Sequence, residues 1–152
     1  MTDGFWTSDG FVHDEAPGQQ LHSSQGAGWV FATPSGHILL VRCASSGKYG
    51  FCKGHAEPAD ACLLDTARRE AKEELGLSAE DYTIASDPFT LRSWSYHVEF
   101  RYASLKKSVE DLVLQKEEIS EIKMVSLEDM RKMPPASLNR FARQWLRLVS
   151  FI

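Results

Sequence analysis

No run of about 18 consecutive apolar residues occurs in the chain, so nothing in it reads as a transmembrane helix. The N-terminus lacks a basic start followed by an apolar stretch, and no secretory signal is expected. Cysteine is scarce: Cys43, Cys52 and Cys62 are an odd number without metal-ligand spacing. They read as reduced thiols, partly buried, of a cytoplasmic protein. An excess of positive charge is missing too. The net charge of −4 argues against a general nucleic-acid coat and leaves room for a small anionic substrate held through a metal. No internal repeat or low-complexity block is present, and both a monomer and a homodimer remain open.

What is present is ordinary for one globular domain. The 152 residues are 43% hydrophobic and 25% charged, enough to bury a real core. Residues 1–25 are rich in Gly, Ser, Asp and Gln and form an N-terminal extension. Phe5, Trp6, Phe11 and Val12 around Ser8-Asp9-Gly10 leave two readings, a short hairpin or a flexible tail. The domain itself is placed at 26–152. Strands are expected over Ala27–Ala32 and His37–Cys43, the second apolar on both faces, with a Pro34-Ser35-Gly36 turn between them. Tyr82–Ala85 is a further strand. Trp94, Tyr96, Val98, Phe100 and Tyr102 fall at every second position of Leu91–Leu105, the period of a half-buried strand; two strands can be hidden there, without a firm turn to divide them. Its aromatics read as core, with a base-binding cleft as the alternative. Leu138, Phe141, Trp145, Leu148 and Ile152 predict an amphipathic C-terminal helix, set off by Pro134-Pro135.

The chemistry-bearing stretch is Gly54–Leu77, GHAEPADACLLDTARREAKEELGL. Glu70, Glu73 and Glu74 recur at i, i+3 and i+4 and share one helix face. Leu64, Ala67, Ala71 and Leu75 supply a different, apolar face. Asp60 reads as the N-cap and Gly76 as the C-terminal stop. Clustered carboxylates suit a hard cation such as Mg²⁺ or Mn²⁺. The plain alternative is a solvated acidic helix, since like-charge neighbours cost only about 0.2–0.5 kcal/mol per pair.

This stretch resembles the Nudix box, which runs Gly, five residues, Glu, seven residues, then Arg-Glu-apolar-x-Glu-Glu-x-Gly-apolar. Gly54 and the run Arg69–Leu77 match. Asp60 stands where the pattern has Glu, and the spacer to Arg69 is one residue longer. Cys52 sits where an aromatic-Gly-Phe-Pro-Lys-Gly run has Pro. The resemblance implies an α/β fold, the Nudix α/β/α sandwich with a mixed central sheet and the box as loop-helix-loop. It implies hydrolysis of a phosphoanhydride in a nucleoside diphosphate-linked substrate, with bound Mg²⁺ or Mn²⁺ activating water. Gly54, Glu70, Glu73 and Glu74 are the implied metal-site residues. Arg69 would orient a box carboxylate. A Glu from the late acidic loop, Glu118 before Glu117 or Glu121, would bind a further metal or act as base. Lys53, His55 and Tyr49 are the candidate substrate contacts, His55 being equally readable as a plain loop residue. Lys53–Pro58 is similar to diadenosine tetraphosphate hydrolases, and Tyr49–Gly54 also to decapping enzymes; no RNA-binding region is visible, so a small nucleotide is expected. Nucleotide sugars, ADP-ribose, oxidised nucleoside triphosphates and an inactive Nudix-fold binding module stay open.

Overall fold

The structure, a computed structural model, describes residues 25–149. The expected hairpin or tail before residue 25 lies outside the described residues. The sheet is organised around β1 (Gln25–Ala32), which runs parallel to β7 (Tyr96–Leu105) along its full length. The opposite edge of β1 pairs antiparallel with β4 (Cys52–His55) and, at Ala32, with β2 (Ile38–Cys43). β2 in turn pairs with β3 (Tyr49–Gly50) and β8 (Ile119–Val125), and β7 with β5 (Tyr82–Ile84) and β6 (Phe89–Ser93). Among the described residues the result is one mixed eight-stranded sheet.

Alternation along the central strands splits the core in two. Ala27, Trp29 and Phe31 of β1 join Leu39 and Val41 of β2 on the face covered by α1 (Leu63–Leu75). Val30, Ile38 and Leu40 point the other way, toward Val98, Phe100 and the helix α3 (Arg140–Val149), which inserts Phe141 and Trp145. The short α2 (Leu127–Lys132) adds Met130 to that second layer. This is the α/β/α sandwich, with β2 buried on both faces as its apolar run predicts. Each fully buried large side chain in these layers is worth about 1.5–3 kcal/mol. Trp29 does more than fill space: its indole N–H donates to the Ala67 carbonyl at 2.7 Å and ties α1 to the sheet.

Several local readings are corrected. Asp60 is not the N-cap of α1; Cys62 holds that position without a side-chain bond, because the Asp60 carboxylate is engaged elsewhere. Leu63, not Leu64, heads the buried row completed by Ala67, Ala71 and Leu75, since steps of four along the helix keep these on the sheet side. Leu64 is only partly buried. Gly54 and His55 do not open the loop but finish β4, paired with Ala27 and Gly26. The stretch 91–105 holds a hairpin whose turn is Trp94-Ser95, closed by the pair Ser93 and Tyr96. Gly76 ends α1 as expected, at φ 68°, with its N–H and that of Leu77 returning to Lys72 and Ala71.

Candidate active site

β4 carries Lys53, Gly54 and His55 to the edge of a cavity of about 400 Å³, and α1 presents Glu70, Glu73 and Glu74 to it. The segment before β8 adds Glu118, β7 adds Tyr96, and the residue preceding α3 adds Asn139. Lys48, Glu57 and Cys43 complete the polar part of the lining. Tyr49 is not brought into this cavity. Its side chain packs toward the second core layer, its hydroxyl donates to Glu121, and the Lys123 ammonium lies 5.5 Å above its ring. Of the three acids weighed in the late loop, Glu118 alone lines the cavity.

Glycine at 54 is required by a close approach. A methyl group there would collide with the Glu70 carboxylate, which lies across the strand at that point.

Arg69 anchors the acidic end of the site. Its Nε and Nη2 donate to the two oxygens of Asp60 at 3.2 and 3.0 Å, and Nη2 also donates to the His55 carbonyl at 2.9 Å. Nη1 reaches Glu70 at 3.0 Å, and Glu73 and Glu57 at 3.3 Å. One guanidinium thus joins β4, the loop and α1 through a planar fork that a lysine lacks. Asp60 collects further bonds from the Glu57 N–H at 2.9 Å and the Thr66 hydroxyl at 2.7 Å. Burial alone would raise its carboxyl; the bonds from Arg69, Glu57 and Thr66 outweigh burial and hold it below the ordinary value. Arg69→Lys is expected to lower stability by about 1–2 kcal/mol and to weaken the hold on Glu70, read as a lower thermal midpoint with activity reduced but not abolished.

Glu70 and Glu74 are only 7% exposed each, whereas Glu73 faces solvent. Burial, then the repulsion between the two, pushes the Glu74 carboxyl up to about 8. Glu70 is also raised, by burial first, against the opposing pull of Arg69. One oxygen of Glu74, Oε1, is buried and has no hydrogen-bond partner. The Cys52 thiol is buried beside Glu74, and burial followed by that carboxylate pushes it well above the usual thiol range, so it is no nucleophile. Tyr96 stands over the same spot. Its ring packs 4.5 Å from His55 and its buried hydroxyl also lacks a partner. Lys53 extends over the rings of Tyr96 and Phe141 at 5.7 and 5.4 Å, which fixes a cation beside the carboxylates.

Sequence reasoning brought Gly54, Lys53, His55, Glu70, Glu73, Glu74 and Glu118 to one list, and the fold brings all of them to one cavity. It missed Asn139, Lys48 and the site role of Tyr96. Asn139 had a readable signal, since Asn directly before an amphipathic helix is an N-cap pattern. Tyr96 had none, being one aromatic among four at the same period.

A strand–loop–helix unit here converges buried carboxylates on a polar cavity within an α/β/α sandwich, a donor set suited to a hard cation and an anionic substrate. The chain belongs to the Nudix family: the family model described as NUDIX domain matches residues 23–149. Curated protein sequences contain no match to it. Among solved structures it is similar to the binary complex of an Ap4A hydrolase from C. elegans, at 25% identity over 84% of this chain and 99% of that one, with a TM-score of 0.66. A MutT protein from Methanosarcina mazei Go1 shares the fold at 23% identity, 84% and 92% coverage and a TM-score of 0.63. So does a Nudix family hydrolase from Clostridium perfringens, at 17% identity, 87% and 99% coverage and a TM-score of 0.66. No helix among the described residues is long and apolar enough to cross a membrane.

Nudix hydrolases generally need divalent cations. Among the described residues no three His, Cys, Asp or Glu side chains are drawn close enough to hold an ion as they stand. The donor set nevertheless fits one. Glu70 and Glu74 are buried and mutually repelling, Glu74 Oε1 is unpartnered, and oxygen donors suit a hard cation.

Proposed function

We propose that this Nudix hydrolase cleaves a phosphoanhydride in a nucleotide-linked substrate, and that the substrate is a dinucleoside polyphosphate such as diadenosine tetraphosphate. The observation that carries the chemistry is the pair of buried carboxylates, Glu70 and Glu74, sharing one cavity with Glu73, Glu118 and the cations Lys48 and Lys53. The substrate assignment is supported by the Ap4A hydrolase likeness, which spans nearly the whole of that chain, together with the Lys53–Pro58 run.

Glu70, Glu73 and Glu74 would hold Mg²⁺ or Mn²⁺. When bound there, the cation would supply charge neutralisation for the phosphoryl oxygens. Arg69 keeps Glu70 and Glu73 from swinging apart, through the fork that ends on Asp60. Lys53, held against Tyr96 and Phe141, meets the negative charge of the phosphate chain, with His55 beside it. Glu118 comes from a different segment than the other carboxylates and accepts the proton of the attacking water.

The test is phosphate release from a panel of dinucleoside polyphosphates, nucleotide sugars, ADP-ribose, nucleoside triphosphates and capped RNA, with Mg²⁺ or Mn²⁺ and with product analysis. Preferred turnover of diadenosine tetraphosphate supports the assignment. A marked preference for another member of the panel replaces the substrate and leaves the chemistry standing. No turnover of anything removes the catalytic reading.

A further inference from the structure

Carboxylates crowd one part of the cavity, and an anionic phosphate chain bound there needs donors from the rest of the lining. Asn139 is the neutral residue built for this. Its backbone N–H donates to the Tyr49 carbonyl at 2.8 Å, which pins the start of α3 to β3. Its side-chain oxygen, Oδ1, accepts from the Ala142 N–H at 2.9 Å and caps α3. That bond assigns the amide: with the oxygen committed to the helix, the NH₂ group must be the end that faces outward. The nitrogen lies directly over Gly50, so close that a methyl group on Gly50 would collide with it, and both residues line the cavity. No protein group among the described residues accepts from it. The side chain therefore offers its amide donors where Asn139 and Gly50 line the cavity, its oxygen being already occupied. Two residues further along α3, Phe141 supports the Lys53 ammonium, so the neutral donors and the fixed cation stand on the same side of the cavity.

We propose that Asn139 is a substrate-binding residue, its amide nitrogen donating to the phosphate chain of the nucleotide while its oxygen caps the helix. This rests on the reading of the cavity as a nucleotide phosphate site. It assigns Asn139 to binding and not to bond cleavage, so its removal raises KM and leaves kcat nearly unchanged.

Asp and Ser both cap helices about as well as Asn, and this separates the two roles of the residue. Asn139→Ser keeps a capping oxygen but loses the reaching amide; Asn139→Asp keeps shape and cap and turns the donor into an anion. The measurement is calorimetric binding of inorganic pyrophosphate with Mg²⁺ present, alongside thermal midpoints. Both variants are expected to melt close to wild type. Asn139→Ser should bind pyrophosphate about tenfold more weakly and Asn139→Asp up to about a hundredfold, the range for a hydrogen bond to a charged group. Wild-type affinity in Asn139→Ser overturns the proposal, as does a loss of affinity matched by a proportionate loss of thermal stability. If wild type binds pyrophosphate but hydrolyses no nucleotide, the catalytic reading fails, while the comparison between wild type and the two variants still decides the role of Asn139.

Discussion

Glu74→Gln is expected to lower kcat/KM by about a thousandfold, about 4 kcal/mol of transition-state stabilisation, and at the same time to make the metal-free protein more stable. Both effects come from one carboxylate. Buried next to Glu70, it binds its proton far more tightly in the folded protein than in the unfolded chain, at about 8 against 4.5. A group raised in this way contributes stability that is fully present below about pH 4.5 and is lost as pH rises through 8. Metal-free wild type should therefore weaken steadily across that window. Glu74→Gln, which has no proton to lose, should be the more stable protein at pH 8 by roughly 2 kcal/mol or more. Divalent cation should narrow the gap by stabilising wild type more than Glu74→Gln. Thermal melts at pH 5 and pH 8, with and without Mg²⁺, read this directly. Identical pH profiles for the two proteins would remove Glu74 from the role assigned to it, whatever happened to activity.

Gly54→Ala should lose about a hundredfold in kcat/KM while remaining folded. The added methyl group meets the far end of the Glu70 side chain, not backbone, so the strand pairing of Gly54 with Ala27 survives. The carboxylate must leave its place and give up its bond to Arg69 Nη1. A displacement of about 1 Å at a reacting centre is enough for a loss of this size. Near-native melting together with weakened Mn²⁺ binding is the expected pair of readings. Full activity in Gly54→Ala would show that the position of Glu70 is immaterial.

The sequence was most legible where periodicity and chemistry coincided. Steps of three and four placed Glu70, Glu73 and Glu74 on one helix face without any knowledge of the sheet, and the continuous apolar run of β2 announced burial on both sides. Legibility failed where the decisive partner was distant in the chain. Tyr49 is a plausible cleft aromatic from its neighbours, yet pairing of β3 with β2 turns its hydroxyl toward Glu121 on β8. The Trp94-Ser95 turn carries neither Gly, Pro nor Asn, so the hairpin of β6 and β7 announces itself only through their register. Asp60 reads as the N-cap because it precedes a helix; its attachment to Arg69 depends on how the loop folds back, which spacing does not encode.

The loop between β4 and α1 departs from the family pattern twice, by a longer spacer and by a shorter acid. Asp60 still accepts from Arg69 through both Nε and Nη2. Glutamate at 60 on this same loop would carry the carboxylate one methylene further, and the Arg69 anchor would have to shift with it. What the loop supplies to the guanidinium is a location for a negative charge, reached here by an aspartate.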